Sequence, residues 1–165
     1  MSNFEEAIYV VLDNEGGAYV PDDWGRGPSK FGITLATARE VVHPEWTAQD
    51  IQNLTPFGAQ EFYEAAFWRR YGIYRIDDQA LATGVLDRCV DPGPIVIIWL
   101  QEIVDVTPLS GWIGPITQAA VNSGNPQDIL AKLRERTEAH YRAEVVAHPE
   151  KAKELNGWLA RNLKC

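Results

Sequence analysis

The stretch at residues 14–34, NEGGAYVPDDWGRGPSKFGIT, constrains the fold of this chain more than any other. It sets Gly16 and Gly17 directly behind an acidic residue, then adds Pro21, Gly25, Gly27, Pro28 and Gly32. Proline removes a backbone donor and glycine weakens a helix interior, so residues 18–33 are barred from regular helix. They are expected as a loop or a short irregular hairpin. The patterning on both sides is helical, so the chain reads as mainly α with one non-helical insertion after its first helix.

The first helix is expected over residues 2–14. Ser2 and Glu5 form a capping box, Phe4, Ile8, Val11 and Leu12 share a face, and Gly16 and Gly17 supply the stop. Thr34 caps a helix reaching about Val42, and Thr47 caps a short one. Thr55, with Pro56 in the first turn and Gly72 after the end, brackets a long helix. Apolar helices follow at 77–90 and 94–106, divided by DPGP, then a turn and short helix from SGWIGPIT. Asn125 and Pro126 open a long helix, and GWLARNL at 157–163 closes the chain. There is no internal repeat and no linker.

Bulk properties narrow the function. With 45% hydrophobic residues in 165, the chain can bury a core as one domain or as two lobes sharing it. Fifteen basic against 23 acidic residues give a formal charge of -8, which argues against general nucleic-acid binding. An uncharged glycan remains a suitable substrate. The longest apolar run, residues 95–100, is too short to span a bilayer, and stable membrane insertion is not expected. The first residues carry Glu5 and Glu6 where a secretion signal would be apolar, so synthesis in a cytoplasm is expected. Cys89 is expected to be a buried small side chain, and nothing argues for pairing it with Cys165.

Glu15 is the first candidate for chemistry. A carboxylate in the last turn of a helix faces the negative end of the dipole, and burial against Tyr19, Trp24 or Phe31 would further disfavour its ionised form. A general acid in glycosidic cleavage needs that shift to hold its proton near neutral pH. A solvated helix-end glutamate before a glycine cap is the plainer alternative, and on this residue alone it is favoured. Glycosidases pair the acid with a second carboxylate. Asp23 and Asp22 stand across the loop, although PDD is also ordinary turn chemistry. Ser29 and Thr34 carry hydroxyls able to hold a water, with capping the stronger role for Thr34. Among the aromatics Trp24, Tyr63, Trp68, Trp99, Trp112 and Trp158, most are expected in the core, and Trp24 is kept as a sugar contact. His43, His140 and His148 show no metal-ligand spacing. A Cys89–His140 peptidase lacks any supporting local pattern, and GRGPSKFG is no phosphate loop. Neither metal nor cofactor is expected.

Taken in order, these segments resemble the phage-type muramidases of glycoside hydrolase family 108. The residues that carry the resemblance are Glu15-Gly16-Gly17, Lys30-Phe31-Gly32-Ile33-Thr34, EAAFWRRYG, VLDRCVDPGP, WLQ at 99–101, GWIGPIT at 111–117 and GWLAR at 157–161. The resemblance implies a lysozyme-like helical fold with a Gly-rich loop or hairpin after the first helix. It implies a muramidase catalytic lobe at 1–93, and at 94–165 a helical lobe carrying a predicted peptidoglycan-binding segment, packed as one fold. Glu15 matches the family's catalytic glutamate. Asp23, with Asp22 as the alternative, and Ser29 would complete the catalytic set, and Trp24, Lys30, Thr34, Tyr63 and Trp68 would contact substrate. The chain departs from the pattern at Trp24, where an aspartate is usual, and at Ser29, where a threonine is. It also departs at Asp91 and Ser110, where asparagine and aspartate are common. The implied activity is hydrolysis of the β-1,4 bond between N-acetylmuramic acid and N-acetylglucosamine in bacterial peptidoglycan by a monomer. A phage endolysin released through a holin is the implied setting. A delivered bacterial muramidase effector and a peptidoglycan-binding module with a lapsed site are the alternatives.

Overall fold

The computed structural model describes residues 1–23 and 25–164, so Trp24 and Cys165 lie outside the description. The order is α1 (Phe4–Glu15), β1 (Ser29–Lys30), β2 (Ile33–Thr34), α2 (Leu35–Val41), α3 (Ala48–Asn53), α4 (Pro56–Tyr63), α5 (Gln79–Val90), α6 (Ile95–Ile103), α7 (Pro115–Ser123), α8 (Pro126–Ala147) and α9 (Leu155–Lys164). A π-helical turn, Glu64–Arg69, extends α4, and 3₁₀ turns stand at Ile73–Arg75 and Pro149–Glu154. The expected lysozyme-like helical fold with a short hairpin after the first helix is the fold observed.

The core is organised around α5. Most helices bury one stripe, but α5 buries Leu81, Ala82, Val85, Leu86 and Cys89 together with the charged Asp87 and Arg88, so it is covered nearly all round. α1 packs along it through Ala7, Ile8 and Val11, while Val96, Ile97 and Leu100 of α6 and Leu133 of α8 join the same core. Arg88 is taken out of water because it donates to Gly84 O (2.9 Å) and to both the carbonyl and the side-chain oxygen of Asn162 (2.8 Å each). Asn162 in turn donates to Arg134 O, which ties α9 to α5 and α8 at one point.

Three expectations shift in detail. The cap of α1 is Asn3, whose side chain accepts from Glu5 N at 2.8 Å. Ser2 instead gives its backbone N–H to Ile76 O, and the Asn3 N–H goes to Gln79 Oε1, so a simple Asn3 cap replaces the expected capping box and the helix runs through Glu15. The segment after Thr55 is not uniform helix. Ala66, Phe67 and Trp68 are all buried, and the wider π turn brings three successive side chains onto the core side. The last helix starts at Leu155, earlier than expected, because the Pro149–Glu154 turn feeds directly into it.

The hairpin pairs Ser29 with Thr34 and Lys30 with Ile33, while Val20 bridges to Ser29. Its turn residues, Phe31 and Gly32, both have positive φ (53° and 73°), the geometry that tight hairpin turns require. Phe31 is held in this disfavoured region by Tyr63, whose hydroxyl donates to Phe31 O at 2.7 Å. Thr34 then caps α2, accepting from Thr37 N.

The segments WLQ and GWIGPIT turn out to be two sides of one hydrogen-bond network. Fully buried Gln101 donates to Trp112 O, Thr117 Oγ1 and Ser110 Oγ at 2.9–3.1 Å and accepts from Gly111 N at 3.0 Å. Gln101→Leu removes the partner of buried Thr117 and of the half-buried Gly111 N–H and leaves an apolar side chain beside them, at about 1–3 kcal/mol for a buried polar group left unpaired. We expect the variant to lose roughly 3 kcal/mol in urea unfolding, and a loss below about 0.5 kcal/mol would show that water replaces the network.

Candidate active site

The hairpin turn returns the chain to the C-terminal end of α1, where Glu15 is the last residue. A Cβ built on Gly32 would lie 2.3 Å from Glu15 Oε2, so the carboxyl group rests on the backbone of the turn. A side chain there would displace the Glu15 carboxyl, and the positive φ independently favours glycine. Gly17 admits the Phe31 ring in the same way, with a Cβ there meeting Cε1 at 3.0 Å. The acid and the hairpin are thus packed against each other, very closely at Gly32 and tightly at Gly17.

The other side of Glu15 is occupied by Arg161 of α9. Its Nη1 donates to Glu15 Oε1 at 2.5 Å, while Nη2 and Nε donate to Asp87 at 2.8 and 3.1 Å. Asp87 also accepts from Asn14 Nδ2. Only 15% of the Arg161 side chain and 2% of Asp87 are exposed, so these are interior charges that need each other. Burial works against the Arg161 cation, but Asp87 and then Glu15 outweigh it and hold its pKa above the ordinary arginine value. Burial likewise works against the Glu15 anion. Arg161 opposes that effect, Asp87 and Asp91 add to it, and the net pKa lies above the ordinary glutamate range.

Glu15 lines a cleft of about 560 Å³, a size typical of ligand sites. Asp23, Arg26, Gly32 and Thr34 form its hairpin side. The opposite wall comes from Asp91 at the end of α5 and from α8, the second 3₁₀ turn and α9. On that wall Trp158 stacks on Tyr141, with centroids 5.1 Å apart and rings inclined by 22°. Burial also raises the Asp91 carboxyl, against the pull of Arg161. A carboxyl with a raised pKa, an adjacent fixed cation and an aromatic face in a polar cleft suit acid-catalysed cleavage of a sugar linkage.

The expected site residues separate in space. Glu15, Asp23 and Thr34 share the cleft. Asp22 is exposed, and Ser29 is buried in the hairpin ladder; neither lines this cleft. Lys30 donates to Gln52 O at 2.9 Å and lies outside it too. Tyr63, 1% exposed, supports the hairpin from below. Trp68 is buried beside Phe4 and borders a different, smaller cleft with Glu64, Arg69 and Tyr74. Trp24 lies outside the described residues. Sequence reasoning passed over Arg161, Asp87, Asp91, Tyr141 and Trp158 as site residues. The signal was present for four of them, since VLDRCVDPGP and GWLAR contain them.

The family model described as Glycosyl hydrolase 108 matches residues 8–93, more than half of the chain. The chain belongs to this family. It is also similar over 98% of its length to a solved structure, SagA of Brucella abortus, covering 94% of that chain with a TM-score of 0.77 and 25% sequence identity. No curated protein matches the chain. For a family 108 member, the matched region contains Glu15, the hairpin, Asp87 and Asp91, and the structural similarity extends through α8 and α9, where the rest of the cleft lies.

A raised pKa on Glu15 carries a consequence for stability. The folded chain binds this proton more tightly than the unfolded chain, so the contribution is neutral below the ordinary glutamate range. Stability is lost as pH rises from there through the folded pKa. Glu15→Gln, a neutral mimic of the protonated acid, should match wild type in acid and have the higher Tm once pH passes the folded value. Thermal melts across that window check this, and a Gln variant less stable than wild type at neutral pH would show that the Arg161 pair outweighs burial.

Proposed function

We propose that this glycosyl hydrolase is a peptidoglycan muramidase that hydrolyses the β-1,4 bond between N-acetylmuramic acid and N-acetylglucosamine. The observation that carries the reading is Glu15, poised above its ordinary pKa in a cleft with an aromatic wall. Oε1 is engaged by Arg161, which leaves Oε2 to carry the proton to the glycosidic oxygen. As the bond breaks, positive charge develops on the sugar, and a second carboxylate stabilises it or orients the attacking water. Asp23 is our choice over Asp22, because Asp23 lines the cleft and Asp22 does not. Asp91 is the rival for that role, favoured by its place in the same cleft and by the influence of its charge on Glu15.

The setting we propose is lysis of a bacterial host, with the chain acting as a phage endolysin on the cell wall. The ordered segments shared with phage-type muramidases support it. Release of a muramidase effector by a bacterium would use the same chemistry.

Digestion of purified peptidoglycan followed by mass spectrometry tests the activity. We expect muropeptides with reducing muramic acid ends from wild type and their loss, by at least about a hundredfold in rate, from Glu15→Gln. Reducing glucosamine ends would move the cut to the other linkage, and free amines without new reducing ends would overturn the glycosidase reading for this chain. The second carboxylate is decided by comparing Asp23→Asn with Asp91→Asn. Asp23→Asn is expected to lower kcat the more, and the reverse order would assign the role to Asp91.

A further inference from the structure

Beyond Tyr141 and Trp158, the far wall of the cleft carries charges of both signs that a neutral sugar chain does not require. His140 and Glu144 lie one helical turn apart on α8 and face the same side. Lys151 and Glu154 come from the 3₁₀ turn that follows and line the same cleft. Lys151 Nζ stands 2.5 Å from Glu144 Oε1 with about a third of each side chain exposed, so the pair fixes the turn against α8 while remaining open to a ligand. The Lys151 hydrogen bond holds the Glu144 carboxyl below the ordinary glutamate range, which keeps it charged.

We infer that this wall, His140, Glu144, Lys151 and Glu154, is a binding site for the zwitterionic peptide stem borne by muramic acid. The inference rests on the muramidase reading above. Muramic acid carries its peptide on the sugar next to the bond to be cut, so a stem-bearing strand seated on Glu15 must place that peptide against one wall of the cleft. The hairpin side offers Asp23, Arg26, Thr34 and the backbone of Gly32. The α8 side offers the Trp158 ring for a sugar face, and beside it carboxylates and an ammonium group arranged for a ligand that has both. Charged hydrogen bonds of this kind contribute more than neutral ones and discriminate strongly when the partner is missing.

The test uses the full chain on two substrates: intact peptidoglycan, and the same glycan strands stripped of their stems by an amidase. New reducing ends give kcat/KM for each, and the quantity read is their ratio. Wild type should prefer the stem-bearing strands. The double variant Glu144→Lys, Lys151→Glu keeps the ion pair but reverses its polarity, and should lower the ratio roughly tenfold. Glu154→Gln, which breaks no contact between α8 and the turn, should lower it severalfold and guards against a misfolded double variant. A ratio unchanged in both variants, whether both substrates slow together or neither does, overturns the inference while leaving the muramidase standing. If wild type produces reducing ends from neither substrate, the muramidase reading itself fails.

Discussion

The structure depends on Arg161 being shared between two carboxylates. Asp87 is nearly inaccessible on the central helix, and an isolated charge there would cost several kcal/mol. Arg161 relieves that cost and, with its remaining nitrogen, reaches Glu15. The neighbouring residues repeat the arrangement: Arg88 beside Asp87 binds Asn162 beside Arg161. Two consecutive residues of α5 thus grip two consecutive residues of α9. The grip sets more than the position of the last helix. It registers Trp158 and the α8–α9 wall against the acid at the end of α1, so the two sides of the cleft keep one spacing.

The hairpin answers a matching demand from the other side. Glu15 can rest on the turn only because Gly32 has no side chain, and Phe31 can occupy its unfavourable backbone region only with Tyr63 beneath it and Gly17 beside it. The spacing between Glu15-Gly16-Gly17 and Lys30-Phe31-Gly32-Ile33-Thr34 is therefore a packing requirement. Changing the length of the loop between them would move Gly32 off the carboxylate. Tyr63, expected as a substrate contact, serves this geometry from the core.

How much of this could be read beforehand follows from the range over which each signal acts. Caps at Thr34, Thr55 and Asn125 are local chemistry, and they stand where expected. Glu15 was legible because its neighbours Gly16 and Gly17 are adjacent in sequence. Arg161 was not, because its partners are 74 and 146 residues away and nothing in GWLAR alone distinguishes a buried cation from a solvated one. Lys30 and Trp68 are expected as substrate contacts because they lie in segments that carry the family resemblance, which says nothing of where a side chain points. In space, Lys30 turns to Gln52 O and Trp68 to Phe4, because a strand alternates its faces and the π turn redirects the aromatic cluster inward.

The glutamate we propose as the proton donor, Glu15, is held 2.5 Å from a permanent cation, and its raised pKa and that cation appear opposed. They are reconciled by the number of anions present. Asp87 takes the larger part of the Arg161 interaction, with two of its three nitrogens, so Glu15 feels a cation already largely neutralised. Burial, the largest influence, together with Asp87 and Asp91 then leaves the Glu15 pKa above the ordinary glutamate range. What Arg161 still supplies is direction: by holding Oε1 it fixes which oxygen faces away from the pair, and a donor with one available orientation has less freedom to lose when the bond breaks. On the proposed reading, the positive charge that would otherwise work against the acid becomes a means of aiming it.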